Sequence, residues 1–173
     1  MEQPPPERSS RFDPRDPVEA AKHWVTLVIV ERDVSAAWRH TAADYRLALA
    51  QAVIFLNEYD PRLAGHERDD LARRLAVAEP DHPLWPSFAG LLVEEFAVDL
   101  GEIDLANFAA AASTPIGPGL ELVLFPPGDG GDPNEPPEMQ AHGVLMQLED
   151  DRWVAAGLSH RPATPGWPPD LGY

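Results

Sequence analysis

From Asp16 onward, apolar positions first recur at the spacing of helices and later at the spacing of strands. Ala20, Ala21, Trp24, Leu27 and Val28 stand three and four residues apart, which lines one face of a helix. Val25, Ile29 and Val30 widen that stripe, so this helix is covered on more than one side. Asp16-Pro17-Val18-Glu19 marks its start: aspartate caps, proline suits the first helical position, and glutamate can return the bond. Asp33 caps a short helix over 34–39 anchored by Trp38. Thr41-Ala-Ala-Asp44 resembles a capping box and opens a helix over 42–57. Tyr45, Leu49, Ala52, Val53 and Leu56 share its apolar face, and Pro61 and Gly65 end the excursion. A fourth helix spans 67–78 with Leu71 and Leu75 one turn apart, and Pro80 and Pro83 break it. A fifth, over 84–98, buries Trp85, Phe88, Leu92 and Phe96.

After Gly101 the period changes. Residues 103–113 are expected to be extended, and Leu120-Glu-Leu-Val-Leu-Phe125 is a strand. Residues 126–137 hold five prolines and three glycines, a long exposed connection. Strands follow over 139–149 and 152–160, with a tight turn at Asp150-Asp151. Helices followed by a strand meander predict an α+β fold, with N-terminal helices packed on a curved antiparallel sheet. The ordered domain is expected over 16–160. Residues 1–15 read as a disordered proline-rich tail and 161–173 as a second one, where four prolines oppose helix and paired strand alike. Trp167 is the exception, since an aromatic in a tail can dock on the body.

Composition narrows the function classes. One domain is the natural content of 173 residues. A net charge of −16 repels phosphate backbones and anionic lipids, so neither nucleic acid nor membrane is an expected partner. The absence of cysteine removes disulfides, thiolate nucleophiles and cysteine-bound zinc. No apolar run is long enough for a signal peptide or a membrane span, so a cytoplasmic location is expected. Richness in Ala, Pro, Asp and Arg points to a bacterial, high-GC origin.

Several phrases carry a family likeness: Ala37-Trp38-Arg39 followed by Asp44-Tyr45-Arg46, Leu84-Trp85-Pro86-Ser87-Phe88, Gly119-Leu-Glu-Leu-Val-Leu-Phe125, and Asp151-Arg-Trp-Val-Ala-Ala-Gly157. Over about residues 16–160 the chain resembles the NTF2-like superfamily, which includes SnoaL-like proteins and ketosteroid isomerases. More narrowly, it looks like a bacterial subgroup of that superfamily with no assigned activity. The resemblance implies a cone, in which helices close on a strongly curved sheet around a concave pocket, and dimers through the sheet. The acid and tyrosine of ketosteroid isomerases and the acid/base pair of polyketide cyclases match no phrase here. No catalytic residue is therefore carried over.

Candidate chemistry centres on His142. Strand alternation places Gln140, His142, Val144, Met146 and Leu148 on one side. A histidine at the edge of an apolar concave face can act as a base or orient a ligand; it can equally be a rim residue bonded to a carbonyl. The expected pocket has Met146 in its floor and Tyr45 and Trp153 as walls. His160 could join His142 at a metal, but the six histidines lack metal-ligand spacing, so no metal and no cofactor are expected. Asp44-Tyr45 invites an oxyanion-hole reading, although a first-turn carboxylate and a core tyrosine explain the pair. Glu94, Glu95, Asp99, Glu102 and Asp104 read as a solvated run, and Gly128–Asp132 as a plain loop. The expectation is a domain that binds a small apolar ligand or acts as a dimeric interaction module, without catalysis. The alternative is a SnoaL-like enzyme doing proton-transfer chemistry, cyclisation or isomerisation, on a small hydrophobic substrate.

Overall fold

A computed structural model describes residues 12–128, 132–136 and 140–173. Helix α1 (Pro17–Val25) starts where Asp16 accepts hydrogen bonds from the amides of Val18 and Glu19. Glu19 does not return the bond; it pairs with Lys22 at 3.2 Å, and the Asp16 amide donates to the Asp13 carbonyl. A π-helical turn (Thr26–Val30) continues α1, and α2 (Val34–Trp38) is capped by Asp33. Helix α3 (Ala43–Leu56) follows, then α4 (Arg68–Ala76) and α5 (Trp85–Leu100). The expected capping box at Thr41 does not form. The Thr41 hydroxyl is used in a tertiary contact, and Ala42 stands at the N-cap of α3 with no side chain to cap it.

All five indole N–H groups donate to a partner distant in sequence. Trp24 donates to Thr41, Trp38 to the Leu75 carbonyl, and Trp85 to Ser35. Each large apolar surface is thus buried with its one polar atom satisfied, the condition for placing tryptophan in a core. The Trp24 ring meets Phe96 edge-on at 5.2 Å, which ties α1 to α5.

Four strands form one antiparallel sheet in chain order: β1 (Ala112–Gly117), β2 (Leu120–Phe125), β3 (His142–Glu149) and β4 (Arg152–Gly157). This is the α+β arrangement predicted. Residues 103–113 are not one extended segment, however. Leu105–Ala110 is a 3-10 turn capped by Asp104, and the strand starts only at Ala112. Alanines favour the turn over a strand. Pro115 lies in β1, which forms one edge of the sheet, the position where proline is tolerated.

The register puts Val123, Phe125, Val144, Met146 and Ala155 on one side of the sheet, each at most 1% exposed. Helix α1 packs against all four strands. Trp153, on the same side as Met146 and Ala155, donates to the Arg15 carbonyl just before α1. At the far end of that side, the Phe108 ring packs at a tilt against Phe125, centroids 5.4 Å apart. The outer edge of β4 is already used: Trp153 bonds Pro14, and Ala155 exchanges hydrogen bonds with His40 and Ala42.

The segment after β4 holds no helix or strand, as its prolines predict, but it is no tail. Ala163 is buried, its amide bonds the Ala156 carbonyl, and Thr164 and Asp170 exchange two backbone hydrogen bonds. Gly166 donates to the Gln51 side chain at 2.8 Å, and Trp167 donates to Asp69 beneath the Arg68 guanidinium. The segment runs close to β4: a Cβ at Gly157 would stand 3.3 Å from the Arg161 carbonyl oxygen. Prolines exclude regular pairing but not packing, so the compact body includes these residues. Residues 12–15 are also seated, with Phe12 stacked on His23 at 3.8 Å; residues 1–11 lie outside the described set.

Candidate functional site

The four residues expected to share a pocket do not meet. His142 begins β3, pairs in register with Phe125, and lines an open polar cleft with Glu102, Asp104, Glu135 and Gln140. Its Nε2 lies 3.8 Å from Glu102, so it sits at a rim. The cleft also adjoins a loop whose residues 129–131 and 137–139 lie outside the described set, as does Met139 at the start of the predicted strand. Met146 points to the same side of the sheet as His142 but is packed solid against the core. Apolar side chains fill the space in which a concave cavity was expected. Trp153 is half-buried against the start of α1. His160 is exposed beyond β4, and the described residues hold no group of three metal-ligating side chains.

Tyr45 does line a cavity, between α3 and α5. Because α3 packs on α4 while α5 packs on α2 and the π-helical turn, the two helices leave a gap of about 250 Å³. Both walls come from helical spacing. On α3 these are Tyr45, Leu49, Ala52 and Val53, and on α5 Leu92, Glu95, Phe96 and Asp99, which stand three and four apart. Leu171 and Tyr173 complete the lining from the segment after β4.

The polar groups of this cavity gather near one place. The Tyr173 hydroxyl donates to Asp99 at 3.2 Å. Tyr45 is 2% exposed, and its hydroxyl makes no hydrogen bond among the described residues. No fully shielded side-chain oxygen in the described set lacks a partner, so the Tyr45 oxygen keeps some accessible surface, and the cavity is where it finds it. Burial holds the Tyr45 phenol well above its ordinary range, and nearby Tyr173 and Asp99 add to the shift. Burial around its hydroxyl, with Asp99 and Glu95 beside it, pushes Tyr173 up to about 12. Both phenols therefore remain protonated donors across the neutral range.

Asp44, the acid next to Tyr45 in sequence, is exposed in the first turn of α3 and takes no part. The acid that approaches Tyr45 is Asp99, which the sequence reading assigned to a solvated run. Its signal was present in the spacing: Glu95 and Asp99 lie on the face of Leu92 and Phe96. Tyr173 carried no comparable signal.

The fold and site define an α+β domain with a small, mostly apolar pocket that has one polar end. Comparison with family models, with curated proteins and with solved structures gives no match to this chain.

Proposed function

We propose that the chain is a binding domain for a small, largely apolar ligand held between α3 and α5. The observation that carries this reading is Tyr45: the residue is 2% exposed and lines a mostly apolar cavity, and its hydroxyl has no hydrogen-bond partner among the described residues. A phenol hydroxyl both donates and accepts, so it can bond a polar atom of a ligand of either kind. Proton transfer would need a base held against a reacting atom in addition to this hydroxyl, whereas binding needs only the cavity and its polar end. Binding without catalysis is therefore the better reading.

Two further expectations stay within the proposal. Helices followed by an antiparallel meander that closes on Trp153–Gly157 support a relation to the NTF2-like superfamily, with a curved, cone-shaped sheet. A homodimer through the sheet is supported by Leu120, Leu122 and Leu124, half-buried on the side facing away from α1.

The test is a titration with small aromatic fragments, followed through the amide resonances of α3 and α5. Shifts should centre on residues 45–57 and 91–99 and disappear in Ala52→Phe, which fills the cavity. Equal binding to both proteins, or shifts elsewhere, would overturn the assignment.

A further inference from the structure

The α3–α5 cavity is polar in only one sense. Its ionisable lining consists of Tyr45, Glu95, Asp99 and Tyr173, and no lysine, arginine or histidine lines it among the described residues. An anionic ligand would therefore meet two carboxylates with no compensating charge, and like charges repel. A neutral alcohol or carbonyl could use the Tyr45 hydroxyl but would leave the second Asp99 oxygen to water.

We infer that the ligand is a primary amine with a compact apolar body, its ammonium held at Asp99 beside Tyr45; this rests on the ligand-binding reading above. Tyr173 donates to one Asp99 oxygen, Oδ2, which leaves Oδ1 to accept from the ligand. An ammonium brings three donors and no acceptor. Asp99 Oδ1 and the Tyr45 oxygen take two of them, and Glu95 or water takes the third. A charge-assisted bond of this kind is roughly twice as strong as a neutral one. The aromatic rings of Tyr45 and Phe96, on the two facing walls, add faces that attract a cation. Size restricts the body. A cavity of about 150 Å³ accepts benzene, so 250 Å³ holds one ring with a short arm, or an alkyl chain of similar bulk. The net charge of −16 enriches cations around the molecule before any contact is made.

Calorimetric titration of the intact chain at pH 7 with 2-phenylethylamine, 2-phenylethanol and 3-phenylpropanoate tests the inference. The amine should bind about tenfold or more tightly than the alcohol, the shift expected from one charge-assisted contact. The carboxylate should give no detectable heat. Asp99→Asn should bring the amine down to the level of the alcohol, and Ala52→Phe should abolish both. Equal affinity for amine and alcohol, with both lost in Ala52→Phe, would overturn the amine assignment and leave the pocket standing. Preference for the carboxylate would overturn it too. No binding by any of the three would overturn both readings.

Discussion

The Trp24 indole donates to Thr41 Oγ1 at 3.0 Å, and the Thr41 hydroxyl donates onward to the Ala37 carbonyl at 2.8 Å. Thr41 also stands in a parallel backbone bridge to Ala155 on the edge of β4, so one residue links α1, the end of α2 and the sheet. Trp24→Ala should destabilise the chain by about 3–5 kcal/mol, as for other buried aromatic truncations. Thr41→Val keeps the shape and removes the acceptor, which strands the indole N–H at a cost of about 1–3 kcal/mol. Urea denaturation measures both. A midpoint unmoved by Thr41→Val would mean that the indole has another partner.

The segment after β4 should be protected although it has no helix or strand. In hydrogen exchange the amides of Thr164, Gly166 and Asp170, each bonded to the body or across the segment, should label slowly. Trp167→Ala removes the contacts to Arg68 and Asp69 and should speed exchange at Gly166. Labelling of all three at the rate of an unstructured peptide would contradict the packing.

Acid should loosen the seat of residues 12–15. Phe12 stacks on His23 and meets His40 edge-on. Burial, aided by the neighbouring charges of His23, Arg152 and Arg39, pushes His40 down to about 4. His23 is lowered too, mainly by burial, with Glu31 opposing. Unfolded, histidine titrates near 6.5, so between about pH 4 and 6.5 the unfolded chain binds more protons. Stability therefore rises with pH through that window, is complete above 6.5, and is lost as pH falls toward 4. Urea midpoints at pH 7 and pH 5 should differ in that sense. His40→Asn should flatten the slope without removing it, since His23 and His82 are lowered as well. An unchanged slope in that variant would exclude His40 as a source.

Association through the sheet has a direct measurement. Light scattering at micromolar concentration should give twice the 19.0 kDa of the chain, and Leu122→Lys should return it to one. The segment after β4 approaches Gly157, the register partner of Leu145, so the chain already covers part of this face and Leu145 is fully buried. The contact would rest on Leu120, Leu122 and Leu124. A mass of 19.0 kDa for the unaltered chain would rule it out.

The amino-acid sequence by itself determined the elements. The stripes of α1, α3 and α5 and the alternation of β2 and β3 are local periods, and they correctly named Trp24, Leu49, Phe96, Val144 and Met146 as inward-facing. Only the tertiary structure decided how the remaining polar groups are used. Thr41 serves Trp24 instead of capping α3, and Asp99 accepts the Tyr173 hydroxyl. Met146 fills the space expected to be a pocket floor, while Tyr45 opens on a cavity that the sheet does not line. Trp167 finds Asp69 across 98 residues, and Tyr173 finds Asp99 across 74. A strand or helix period depends on residues two to four apart, whereas these contacts exist only once the chain brings distant segments within about 3 Å, the range of a hydrogen bond.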